Sequence, residues 1–158
     1  MSKNLVKIFI ALLLLGAFVA CSKPKLYGTI QKNPSVVRDY VVPPEEAFRA
    51  VQEAIEERGY SIKQRDGREL ETYWQPTFAD SHYVEVFGRK DFGTVGAYYY
   101  IEARIEPSAT GSRVVLTNIA NSFIANLKSS NREEERIFDK VDDFTRKRDI
   151  KVTNIGLQ

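Results

Sequence analysis

The chain of 158 residues holds one cysteine, one histidine and one tryptophan. A single cysteine, Cys21, cannot form an intramolecular disulfide, so the fold must be held by its core alone. With one histidine, His82, zinc sites built from histidine and cysteine are excluded. A serine–histidine catalytic arrangement would have to use His82. Its neighbours Asp80 and Ser81 lie on a loop leading into a strand, where adjacent side chains point to opposite faces. That trio is not preassembled, and a surface or strand-end histidine is the expectation. No glycine-rich phosphate motif follows a strand and opens a helix, since Gly88, Gly93 and Gly96 are widely spaced and lead into another strand. The acidic runs Glu45-Glu46, Glu133-Glu134-Glu135 and Asp142-Asp143 fit helix capping and solvation. No catalytic residue, metal or cofactor is assigned, and a non-enzymatic protein is expected.

What is present begins at the N-terminus. Lys3 and Lys7 precede an uncharged run from Ile8 to Val19, and the small residue Ala20 stands before Cys21. This is the layout of a secretory signal. Its apolar core of about a dozen residues is shorter than the ~20 needed to span a bilayer. An ordinary secretory signal with a stray cysteine and an uncleaved anchor helix are the alternatives. Phe18-Val19-Ala20-Cys21 resembles the lipobox of bacterial lipoproteins, with Phe18 where leucine is most common. The resemblance implies cleavage between Ala20 and Cys21, acylation of Cys21 and a membrane partner reached through its acyl chains. Ser22 after the cysteine implies, for a Gram-negative source, the outer membrane facing the periplasm.

The sequence has 23 basic and 21 acidic residues, and loss of Lys3 and Lys7 with residues 1–20 leaves 21 of each. A balanced mature chain gives no reason to expect nucleic acid as a partner. Residues 21–35 are polar and aperiodic and read as a tether. Residues 36–158 read as a single α+β domain. Val36–Val42 is a β-branched run and a strand. Pro43-Pro44 ends it and opens a helix, with Ala47, Phe48, Val51, Ala54 and Ile55 at helical spacing and Gly59 as its stop. Tyr60–Arg65 and Glu69–Trp74 flank the turn dipeptide Asp66-Gly67. His82–Phe87, Ala97–Glu106 and Arg113–Ala120 are further strands, and Gly88–Gly96 is a mobile connection. A closing helix starts near Asn131, with Ser130 and Glu133 as a capping box and Ile137, Phe138, Val141 and Phe144 as its apolar stripe. The expected architecture is an antiparallel sheet of five to six strands with two helices on one face.

Aromatic residues cluster between Tyr73 and Tyr100. If Tyr98 and Tyr100 face away from the helices, they form with Trp74 a candidate interaction surface; covering the sheet or packing on the Gly88–Gly96 loop is the alternative. The helix–Gly59-Tyr60–strand–Trp74 passage, the YYYIEARIEPSATGSRVVLTN stretch and the closing helix resemble the helix-grip domains of the BamC family of outer-membrane assembly lipoproteins. That resemblance implies an adaptor, working through another envelope protein. The other reading is a small or lipidic ligand held between sheet and closing helix, with Phe138, Val141 and Phe144 lining the cavity.

Overall fold

The computed structural model describes residues 28–92 and 96–149; the expected signal segment, with Ala20 and Cys21, lies outside the described residues. The clean alternation after Ala97 gives the two longest strands, β8 (Tyr98–Ser108) and β9 (Gly111–Ser122), paired antiparallel from Tyr98↔Asn121 to Ser108↔Gly111. On the free side of β9 lie β1 (Thr29–Lys32) and β2 (Val36–Tyr40), one after the other along its length. On the free side of β8 lie β4 (Glu69–Thr72) and β5 (Gln75–Pro76), and β3 (Ile62–Asp66) closes the edge against β4. All pairings in this seven-stranded sheet are antiparallel.

Side-chain alternation sorts the sheet into two faces. Leu70, Tyr99, Ile101, Ala103, Ile105, Val114, Leu116 and Ala120 are buried on the face that meets the helices. Helix α1 (Pro44–Glu57) buries Ala47, Ala50, Val51, Ala54 and Ile55 there, and its three alanines let the helix axis approach the sheet closely. Helix α2 (Arg132–Asp149) buries Ile137, Phe138 and Val141 and packs on both α1 and β9. Arg38 fastens β2 to α2: its guanidinium lies 4.7 Å from the Phe138 ring centre and bonds Asp142 at 2.8 Å and Glu135 at 2.7 Å. The chain is thus an α+β fold in which two helices grip one face of an antiparallel sheet, as its pattern predicts.

Four expectations are corrected. The polar, aperiodic pattern extends the tether through residue 35, yet Thr29–Lys32 is strand, Asn33 N–H bonds the Asn118 carbonyl at 2.9 Å, and Ser35 Oγ lies 2.7 Å from Thr117 Oγ1. Here the free backbone edge of β9 recruits the segment, and mostly exposed side chains leave no hydrophobic periodicity to read. Second, His82–Val86 (β6) does not join the main sheet. It pairs with β7 (Arg89–Asp91) and β10 (Lys128–Ser129) in a small three-stranded sheet. Third, the glycine-containing stretch after Phe87 is in part a hairpin, because Gly88 supplies a turn (φ 74°) rather than a hinge. Fourth, Ser130 and Glu133 do not form a capping box. Ser130 Oγ bonds the Asp80 carbonyl at 2.7 Å, whereas the Glu133 side chain turns inward.

Candidate ligand-binding cavity

Helix α1 ends in a Schellman turn: Gly59 takes φ 84°, its N–H bonds the Glu56 carbonyl at 2.8 Å, and the Tyr60 N–H bonds the Ile55 carbonyl at 3.2 Å. This turn directs Tyr60 into the fold. Tyr99 arrives from the inward row of β8. The two phenols meet at 2.5 Å, with their rings edge to face at 6.3 Å. A buried phenol needs a hydrogen-bond partner, and the chain of partners ends on Glu133. Tyr99 donates to Tyr60, and Tyr60 donates to the Glu133 carboxylate at 2.9 Å.

Glu133 is 2% exposed. It accepts Arg58 on both oxygens at 3.0 Å and Arg136 at 2.5 Å. Burial alone would raise its pKa, but the hydrogen bonds from Arg136, Arg58 and Tyr60 outweigh that and hold the carboxyl below its usual value. Burial pushes the Tyr99 phenol up to about 12 and Tyr60 higher still, so both remain neutral donors.

Above this network opens a cavity of about 310 Å3, walled by Tyr60, Tyr99 and Phe78 and edged by Arg58, Gln75, Thr77 and Glu133. Its volume is at the lower end of the range for small-molecule sites. Thr77 holds the β5 wall in place through its N–H and hydroxyl, both bonded to the Ala97 carbonyl at 3.0 and 3.2 Å. Arg58, Arg132 and Arg136 share two carboxylates, Glu133 and Asp80, so the cations outnumber the carboxylates in this ion-pair group by one. The arrangement suits a flat apolar body with an anionic or hydrogen-accepting end.

Against the cavity's inner wall lies a second buried polar cluster. His82 is 0% exposed and its ring sits 4.9 Å from that of Tyr99. Its Nε2–H donates to Asn118 Oδ1 at 2.9 Å, which leaves Nδ1 to accept from Ser81 Oγ, also at 2.9 Å. Asn33 bonds Asn118 at 3.5 Å and accepts the Ser129 N–H at 2.9 Å. Ser129 Oγ then donates to Glu134 at 2.8 Å. His82 does stand at a strand end, opening β6, but it is buried rather than on the surface, and the expected separation of His82 from Ser81 is wrong. The turn preceding β6 is not extended, which brings the two side chains together. Ser81 Oγ accepts the Phe78 N–H at 3.1 Å and lies 2.9 Å from the Phe78 carbonyl, so its one proton is shared between two acceptors. The hydroxyl is buried and ties the loop to the histidine.

No family model matches the chain, and no curated protein matches it in sequence. Solved structures overlap it at low similarity. An uncharacterized protein from Rhizobium leguminosarum shares 13% identity over 75% of this chain and 97% of its own, at a TM-score of 0.38. Ara h 8.0201 shares 13% over 75% and 99%, at 0.41. A protein from Thermus thermophilus shares 13% over 75% and 99%, at 0.38. At this level the likeness assigns no ligand and no activity.

The predicted site residues fall in two places. Trp74 and Tyr100 do meet, edge to face at 4.7 Å, on the sheet face away from the helices, with Tyr98 in the same row and all three half-buried. Exposed Ile30 lies on that face too, opposite Asn121, next to Tyr98. Phe138, Val141 and Phe144 do not line the cavity. They pack into the main core, and the cavity lies at the N-terminal end of α2, where Glu133 edges it. The Arg58–Tyr60–Glu133 constellation was missed. Tyr99 in an otherwise aliphatic inward row was its one visible signal. Among the described residues no three histidine, cysteine, aspartate or glutamate side chains are grouped to hold a metal, and no helix is long and apolar enough to cross a membrane.

Proposed function

We propose that this chain is a lipid-anchored, non-enzymatic binding domain of the bacterial cell envelope. Its ligand is a small aromatic or apolar molecule with an anionic or hydrogen-accepting end, held in the Tyr60–Tyr99–Phe78 cavity. The observation that carries this reading is an open cavity whose polar end is built from buried, mutually bonded groups rather than from surface side chains. The Tyr60 and Tyr99 protons are committed within the network, so Arg58, whose buried Nε has no hydrogen-bond partner, is the group left to meet a ligand's acceptor between aromatic walls. The lipobox at Phe18–Cys21 supplies the address. The probe for the site is 8-anilinonaphthalene-1-sulfonate, an aromatic anion. Its fluorescence should rise on binding to the folded protein, and Thr77→Trp, which fills the cavity from the β5 wall, should abolish the rise, whereas Thr77→Val, which loses the same hydroxyl bond to Ala97 without filling the cavity, should keep it. Equal fluorescence from both proteins would refute the site.

A second reading is favoured by the Trp74–Tyr100 pair, since a half-buried aromatic pair on a sheet face that also carries exposed Ile30, on the far side of β9, suits the rim of a protein interface. On that reading a partner in the envelope covers the helix-distal face. Crosslinking from Tyr98 with a photoreactive residue should then trap an envelope protein in cells, and a Tyr100→Ala variant should lose it.

A further inference from the structure

The β6–β7 hairpin stands apart from the cavity and carries a feature neither reading uses. Val84↔Asp91, Glu85↔Lys90 and Val86↔Arg89 leave Phe87 and Gly88 as a two-residue turn. Both take positive φ, 49° and 74°. Such turns favour Asn-Gly or Gly-Gly, and a phenylalanine there is strained. Burial within the chain does not offset the strain, because Phe87 is 102% exposed and its neighbour Val86 is also exposed. Directly behind this apolar tip stand exposed Arg89 and Lys90, the Lys90 ammonium 4.6 Å from the Tyr83 ring centre. Two carboxylates share the hairpin: Glu85, bonded to Lys128 at 2.8 Å, and exposed Asp91 beside Lys90.

We infer that this hairpin is a lipid-surface finger: Phe87 enters the boundary between headgroups and acyl chains, while Arg89 and Lys90 meet anionic headgroups. One protruding apolar side chain with cations a step behind matches the layering of a membrane interface. The open concavity of about 620 Å3 beside the tip is lined by the same hairpin, Val86, Phe87, Arg89, Lys90 and Asp91, where the two cations outnumber the one carboxylate. The inference rests in part on the lipobox reading, which places the acylated Cys21 only seven positions before Gly28. At ~3.5 Å per residue this keeps the domain within about 25 Å of its anchor. A finger on the domain would fix its orientation on the membrane, which a flexible tether alone does not.

Acylation occupies the native thiol, so Phe87→Cys provides a unique attachment point for a polarity-sensitive fluorophore. The processed chain, purified from membranes and reconstituted in phosphatidylcholine vesicles with and without phosphatidylglycerol, should show several-fold brighter label emission than in lipid-free solution. Brominated acyl chains should quench it. Phosphatidylglycerol should strengthen the effect, and Arg89→Glu/Lys90→Glu should remove that dependence. The same label at Val41→Cys, exposed at a loop elsewhere, should stay dim. An unquenched label at position 87 on an acylated chain overturns the finger. So does label emission that brightens with protein concentration in the absence of lipid, the outcome expected of contact between two copies. The mass of the N-terminal peptide reads the lipobox separately, and a quenched label on an unacylated chain would keep the finger and remove the anchor.

Discussion

Glu133 decides how the cavity end is held. A carboxylate that serves Arg58, Arg136 and Tyr60 at once takes a partner from each when removed, leaving Arg136 its longer pair with Asp80 at 3.8 Å. Glu133→Ala should therefore cost about 3 kcal/mol in urea unfolding, whereas Tyr99→Phe, which deletes one terminal donor, should cost about 1 kcal/mol. Two further buried groups set a pH dependence. Burial lowers the His82 pKa below its ordinary 6.5, against a smaller raising contribution from Asn118. The stability this contributes is present above pH 6.5 and is lost as pH falls through the folded value. Glu134, 1% exposed, is shifted the other way, chiefly by burial, with its hydrogen bond from Ser129 opposing. It contributes stability below pH 4.5, which is lost as pH rises through its folded value. His82→Gln should flatten the decline in melting temperature below pH 6.5, and Glu134→Gln should raise the melting temperature at neutral pH. A decline unaltered by His82→Gln would mean that other groups carry it.

At the scale of elements, the strong periodic signals were legible and the edges were not. The α1 stripe, the Gly59 stop and the β8 alternation each express one local rule, and all three stand in the fold. The β1 strand obeys a non-local one: its residues pair because β9 offers an unfilled edge, which polar Thr29, Gln31 and Lys32 do not announce. Likewise Glu133 and Glu134 read as solvated helix-start acids, since only the arrival of Arg58, Tyr60 and Ser129 from distant segments makes their burial tolerable. Gly111 shows the same limit in reverse. A Cβ there would collide with the Tyr40 carbonyl of β2 and crowd Val42, a contact between two segments some seventy positions apart. Gly111→Ala should consequently destabilise by about 2 kcal/mol or more, as read by thermal unfolding. An unchanged midpoint would mean that β2 can move aside.

At the scale of the molecule, the domain combines a closed core and one open end. Phe138 and Val141 seal the middle of the helix–sheet sandwich, and the Tyr60–Tyr99 cavity lies where α2 begins and α1 ends. Sequence patterning put the ligand in the sealed part, because an apolar stripe on a helix looks the same whether it fills a core or lines a pocket. The proposed acylation of Cys21 predicts that Cys21→Ala shifts the chain from the membrane fraction to the soluble fraction or leaves an uncleaved precursor; an unchanged lipidated species would contradict it. The central claim is that the open end is a ligand site. Native mass spectrometry of the processed chain extracted from its own membranes tests this most directly. The account predicts a small-molecule adduct that is kept by Tyr100→Ala and lost in Thr77→Trp; the same adduct on both variants, or none on the unaltered chain, would contradict it.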